Sequence, residues 1–177
     1  MAVRAALAIQ EEPQKAQALK DIAKAQAESG DPAAGDQTFL QAIQVARTME
    51  PRVGVHYLGP IAIAQKTVGN RTAAMQIFQQ VATGAENLPV SDKADVLTSL
   101  ATWQMKAGES QDAIAMLQRA HVSGEAIEDR IWRADRLQRI AILAAEAGAV
   151  EMALEVTEAI DKELGLWKAK SMRGIVT

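Results

Sequence analysis

Apolar residues in this chain recur three and four positions apart, the spacing of one face of an α-helix. Glycines interrupt these stripes at regular distances: Gly30, Gly69, Gly108 and Gly148 stand 39, 39 and 40 residues apart. Eleven residues before them lie Leu19, Leu58, Leu97 and Leu137. Eight before lie Ile22, Ile61, Leu100 and Ile140, and seven before lie Ala23, Ala62, Ala101 and Ala141. Five after come Gly35, Ala74, Ala113 and Ala153. Nine after come Phe39, Phe78 and Leu117, with Thr157 in the fourth copy, and twelve after come Ala42, Val81, Ala120 and Ile160. One unit is written four times.

The offsets predict two antiparallel amphipathic helices per unit, A before the glycine and B after it. Glycine suits the left-handed residue that ends helix A. Asp31 followed by Pro32 is an N-cap with proline at the first helical position, and Asn70 can cap in the same way. The repeats are expected at about 14–50, 53–88, 91–124 and 126–164. Residues 1–10 read as the tail of a preceding helix B. Residues 166–177, with Met172, Ile175 and Val176 at the spacing of a new stripe, read as the start of a fifth helix A. Gly59-Pro60 falls inside the second helix A, where proline removes a backbone bond and clashes with the turn before it. A kink or a late helix start near Val53–Pro60 is expected there.

This pattern resembles the tetratricopeptide repeat (TPR) family, over roughly residues 14–164. Leu97, Leu100, Ala101, Gly108, Ala113, Leu117 and Ala120 fit the family spacing without insertion. The period of 39 to 40 exceeds the family's 34. The family's aromatic on helix A is replaced by Gln26, Gln65, Gln104 and Ala144. The resemblance implies an all-α, right-handed superhelical solenoid of about four antiparallel helix pairs, with half-repeat helices at both ends. It forms one domain spanning residues 1–177.

Composition supports this reading. Alanine fills 35 of the 177 positions, and helices that cross closely need small residues that keep helix propensity. With no cysteine there is no disulfide scaffold, thiol nucleophile or Cys-ligated zinc. A net charge of −3, with the signs interspersed, offers no nucleic-acid footprint. No apolar run is long enough to cross a membrane, so no membrane insertion is expected. The expected location is cytoplasmic, with a mature periplasmic chain the alternative.

No catalytic constellation is visible, so no enzyme activity, metal or cofactor is expected. His56 and His121 lack metal-ligand spacing. Glu11-Glu12 and Glu128-Asp129 fall near turns, with no apolar pocket to raise a pKa. Trp103, Trp132 and Trp167 read as core filling, or as partner anchors if exposed.

The resemblance also places a partner-binding groove along helix A, at 13, 10, 6, 3 and 2 residues before each glycine. The candidates are Gln17, Lys20, Lys24, His56, Lys66, Thr98, Thr102, Lys106, Asp135 and Gln138. Lys20, Lys24, Lys66 and Lys106 would favour an acidic peptide. Of the residues with which one TPR subtype clamps a peptide carboxylate, only Lys20 matches, so no such clamp is expected. The implied function is a non-catalytic scaffold binding another protein or a peptide. Competing expectations are self-association into a homo-oligomer through the terminal helices, or the sensor segment of a larger regulator.

Overall fold

Helix starts and stops fall where the capping residues put them. The structure, a computed structural model, describes the backbone of residues 1–173 and the side chains of residues 1–161. Among the described residues the chain is all-α. A short helix, α1 (Ala2–Leu7), precedes four pairs. These are α2 (Glu12–Glu28) with α3 (Pro32–Thr48), α4 (Pro51–Thr67) with α5 (Arg71–Gly84), α6 (Val90–Lys106) with α7 (Ser110–Glu125), and α8 (Arg130–Glu146) with α9 (Val150–Arg173). A 3-10 turn, Ala85–Asn87, follows α5. No described helix is long and apolar enough to cross a membrane.

The four marker glycines, with φ of +94°, +93°, +75° and +87°, are the only described residues with positive φ. Each closes a helix A with the same pair of bonds. The glycine N–H donates to the carbonyl three residues back, and the next N–H donates to the carbonyl five back. The longer bonds run from Asp31 to Gln26 (3.0 Å), Asn70 to Gln65 (2.8 Å), Glu109 to Gln104 (2.8 Å) and Ala149 to Ala144 (2.8 Å). They satisfy carbonyls that a helix end would leave bare. Helix B then opens on its cap: Asp31 accepts from the Ala34 N–H at 3.0 Å, and Asn70 from the Ala73 N–H at 3.2 Å. Asp129 caps α8 through the Ile131 and Trp132 N–H groups.

The recurring apolar positions form the core. Leu19, Leu97, Phe39, Leu117 and Ile140 are fully buried, as are Ala23, Ala42, Ala62, Ala101, Ala113 and Ala120. The alanines mark the helix crossings. Between α2 and α3, Gly35 replaces alanine because a Cβ would lie 2.9 Å from the Ala23 carbonyl oxygen. In the fourth repeat Val156 is fully buried and the marker position Thr157 is exposed, so the core of helix B moves one residue there. Gln26 uses its side-chain oxygen to accept from the Thr38 hydroxyl at 2.7 Å.

Two expectations change. Helix α4 starts at Pro51 and runs unbroken through Pro60, so there is no late start. Burial of Val55, Leu58, Ile61 and Ala62 on both sides of the proline outweighs its missing backbone bond. At the other end, α9 is continuous to Arg173, without a turn before the expected fifth helix A. The stretch between Asp161 and Arg173 has no proline, and Gly165 alone does not stop the helix. The Trp167 and Met172 side chains, and Ile175 and Val176, lie outside the described residues.

Helices A of successive repeats pack on one another in the order α2, α4, α6, α8, while successive B helices scarcely touch. The more closely packed layer is the inner one, so the A helices line the concave face. Trp103 of α6 lies on Gly59 of α4, where a Cβ would fall inside the indole ring.

Candidate functional site

The concave face holds an open cleft of about 420 Å³ between α4, α6 and α8. Its walls include Arg52, His56 and Tyr57 from α4, Ser99 from α6 and Arg139 from α8, with Glu50 just before α4. Two offsets recur in the lining: 13 before the glycine for His56 and Asp95, and 9 before for Ser99 and Arg139. Stacking of the repeats brings these positions together.

An ionic ladder fixes the three helices. Asp95 is 8% exposed and accepts from Arg136 through Nε (3.0 Å) and a terminal nitrogen (3.1 Å). Arg52 reaches the same carboxylate at 3.0 Å and Asp92 at 3.4 Å. Arg136 also pairs with Asp135 at 2.8 Å, and its guanidinium lies 4.6 Å from the centre of the Trp132 ring. Burial works against the charge on Arg136, but the hydrogen bonds and charge of Asp95, then of Asp135, hold its pKa above the usual value. A bidentate arginine–carboxylate pair is geometrically demanding, so the ladder sets the spacing of α4, α6 and α8 as well as joining them.

Arg52 and Arg136 are thus neutralised. Arg139 is exposed at the cleft, and no carboxylate pairs with it among the described residues. Its charge reaches His56. Partial burial of the imidazole, then the Arg139 charge, lowers the His56 pKa below the ordinary 6.5. Where the unfolded chain takes up a proton on this histidine and the folded chain does not, folding is opposed. The contribution to stability is therefore complete above about pH 6.5 and is lost as pH falls below it. The ring-proton NMR titration of His56 is expected to fall below the ordinary value and to move upward in Arg139→Gln. An unchanged titration would remove Arg139 from the cleft's electrostatics.

The structure distributes the sequence-predicted groove residues unevenly. His56 lines the cleft. Asp135 is exposed and held by Arg136, Gln138 is exposed on α8, and Gln17 donates to Asp21 at 3.0 Å on its own helix. The four lysines do not form one basic surface. Lys20 pairs with Asp21 at 3.1 Å and Lys24 with Glu28 at 3.6 Å. Lys106 lies 4.4 Å over the Trp103 ring. Lys66 donates to the Ala107 carbonyl and to Glu109 (2.8 Å), tying α4 to the turn after α6. Arg71 pairs with Glu109 at 2.9 Å, and hydrogen bonding from Lys66 is the main cause that holds this carboxyl below its usual pKa. Thr98 is 3% exposed and gives its hydroxyl to the Ala94 carbonyl at 2.7 Å. Burial keeps Thr98 out of the cleft lining, which corrects its expected groove role. Thr102 is half-buried and donates to the Thr98 carbonyl. Ser99, Arg139 and Tyr57 were not among the predicted positions. They lie one residue beside them, so the offsets of 9 (Ser99, Arg139) and 12 (Tyr57) from the glycine are the signal that would have found them.

Comparison with known proteins bears on the fold. No family model matches the chain, and no curated protein matches it in sequence. Ton1535 from Thermococcus onnurineus NA1 is similar in structure, with a TM-score of 0.67 and 18% identity over 96% of this chain. The fold is an array of helix pairs. The chain spans 51% of the Ton1535 chain, about half its length. A Podosopora anserina protein with nearly identical TPR-like repeats gives a TM-score of 0.48 at 17% identity, covering 89% of this chain and 79% of that one. A variant of the same protein gives 0.47 at 19%, covering 95% and 82%.

Proposed function

We propose that this protein is a non-catalytic interaction scaffold that holds an acidic peptide or helix of a partner protein in the concave cleft between α4, α6 and α8. The observation that carries this reading is Arg139, a cation with no paired carboxylate among the described residues, in a cleft whose other arginine, Arg52, is neutralised by Asp92 and Asp95. A partner carboxylate would be the missing counter-charge, and Ser99, His56 and Tyr57 supply polar and aromatic contacts beside it. Glu50 adds one charge of the opposite sign to the lining.

A scaffold fits this chemistry better than an enzyme does. Nucleophilic catalysis needs a nucleophile within hydrogen-bond reach of a base that is itself oriented by a third group. Among the described residues, His56 makes no hydrogen bond to Ser99 or to an acid, and no group of three or more His, Asp or Glu side chains could hold a metal.

Selection from a random dodecapeptide phage library against the wild-type protein and Arg139→Glu tests the proposal. Wild type should enrich peptides with a recurrent Asp or Glu, and Arg139→Glu should lose that class. Enrichment that is neutral in charge or unaffected by the reversal would overturn it.

A further inference from the structure

On the convex face, polar bonds tie successive B helices across the first two junctions. Asn70 donates to Asp36 at 3.2 Å, and Arg47 of α3 donates to Gln80 of α5. Arg119 of α7 donates to the Ala82 carbonyl at 2.9 Å and to Glu86. At the third junction three of these register positions have become apolar, and Glu125, at the position of Arg47 and Glu86, faces no polar partner on α9 among the described residues. The Asp36 position, six after the glycine, is Ile114 in α7, and the Asn70 position, one after, is Ala149. The position shared by Gln80 and Arg119 is Ala159 in α9. Among the described residues no hydrogen bond or ion pair joins α7 to α9.

The result is an open groove of about 640 Å³ between α7 and α9. Half-buried Ile114 and Met152 form its floor, with Val122 (68% exposed) and Val150 (58%) at its edges. Apolar groups collected in a groove and left in water mark a surface that gains by being covered. Glu151 and Glu155 line the groove one turn apart on α9, both exposed and without an ion pair among the described residues. His121, on the α7 wall, has Nε2 shielded from solvent and 3.4 Å from Glu125, outside hydrogen-bond geometry.

We propose that the α7–α9 groove is a second docking site, and that its occupant is a short basic amphipathic helix of a partner protein. The apolar side of the helix would cover the floor, and its lysines or arginines would meet Glu151 and Glu155. The two carboxylates choose the sign of the partner and repel an anionic membrane surface. The concave cleft selects an acidic segment, so the two faces select opposite charge and can be filled together. This site is independent of the reading of the cleft.

The test is titration of the 15N-labelled protein with a synthetic peptide of leucine and lysine, the leucines at i, i+3, i+4 and i+7. About 14 residues gives it some four turns. A scrambled peptide of the same composition is the control. Saturable amide shifts are expected at Ile114, Val122, Val150 and Met152, with binding about tenfold or more tighter than for the scrambled peptide. Glu151→Lys with Glu155→Lys should weaken binding by about tenfold or more, and Arg139→Glu should leave it unchanged. Both glutamates are exposed, so the double variant keeps the fold. Shifts elsewhere, equal affinity for the scrambled peptide, or indifference to the glutamate reversal would each overturn the proposal.

Discussion

Placing a methyl group on Gly59 is expected to destabilise the fold by about 2–3 kcal/mol, the scale of overpacking a filled site. For a chain of this size that corresponds to a fall in Tm of roughly 5–10 °C. Gly59 carries two burdens. It precedes Pro60, and a Cβ before proline disfavours the helical region. It also sits beneath Trp103, whose ring occupies the space a Cβ would take. The second burden is the larger, because ring and backbone cannot separate without parting α4 from α6. Trp103→Ala alone should cost about 2–3 kcal/mol, less than for a fully enclosed ring because the indole is half-buried. In that background Gly59→Ala should cost below about 1 kcal/mol, as alanine's helix propensity offsets the clash with Pro60. Urea unfolding of the four proteins gives the coupling directly. Equal costs in both backgrounds would mean that Trp103 does not rest on Gly59.

Asp95→Ala should be the other costly change, at about 2–4 kcal/mol. The carboxylate is nearly buried and is the common acceptor for Arg52 and Arg136, on helices from two other repeats. Removing it leaves the Arg136 guanidinium, whose side chain is 13% exposed, with only the exposed Asp135 as counter-charge. An ion pair this shielded is screened weakly by salt, so the loss should persist at high ionic strength. Arg136→Ala in the Asp95→Ala background should then cost little. A loss in Asp95→Ala that vanishes in salt would reduce the ladder to a surface ion pair. The ladder ties function to stability, since the side chains that hold α4, α6 and α8 in register also flank the cleft.

The helix pairs were legible because their signals are local. Each marker glycine ends a helix through bonds no more than five residues long, and Asp31 and Asn70 cap within three. The alanine positions follow from a crossing repeated within each pair. What was illegible depends on how one repeat meets the next. Gly59-Pro60 looks like a helix break until Trp103, 44 residues later, is seen to need the missing Cβ. Lys66 looks like a groove cation, but its charge is spent on Glu109, 43 residues away. Arg139 stands one residue beside the offset of 10 that the resemblance assigns to the groove, where Gln138 lies. The value of Arg139 lies in having no paired carboxylate among the described residues, which emerges only when the charges around it have been paired. The shift from Thr157 to Val156 was hidden because both suit a helix, and only the packing of the fourth repeat separates them.

The central claim is that the inner helices of repeats two to four form one partner-binding wall around Arg139. The most direct test is amide shift mapping of the 15N-labelled protein with an acidic peptide recovered from the library selection. Shifts should concentrate on α4, α6 and α8, with Arg52, His56, Ser99 and Arg139 among them, and the His56 titration should move upward as the bound carboxylate offsets the arginine. Shifts confined to α7 and α9, or spread without saturation while His56 titrates unchanged, would contradict the claim.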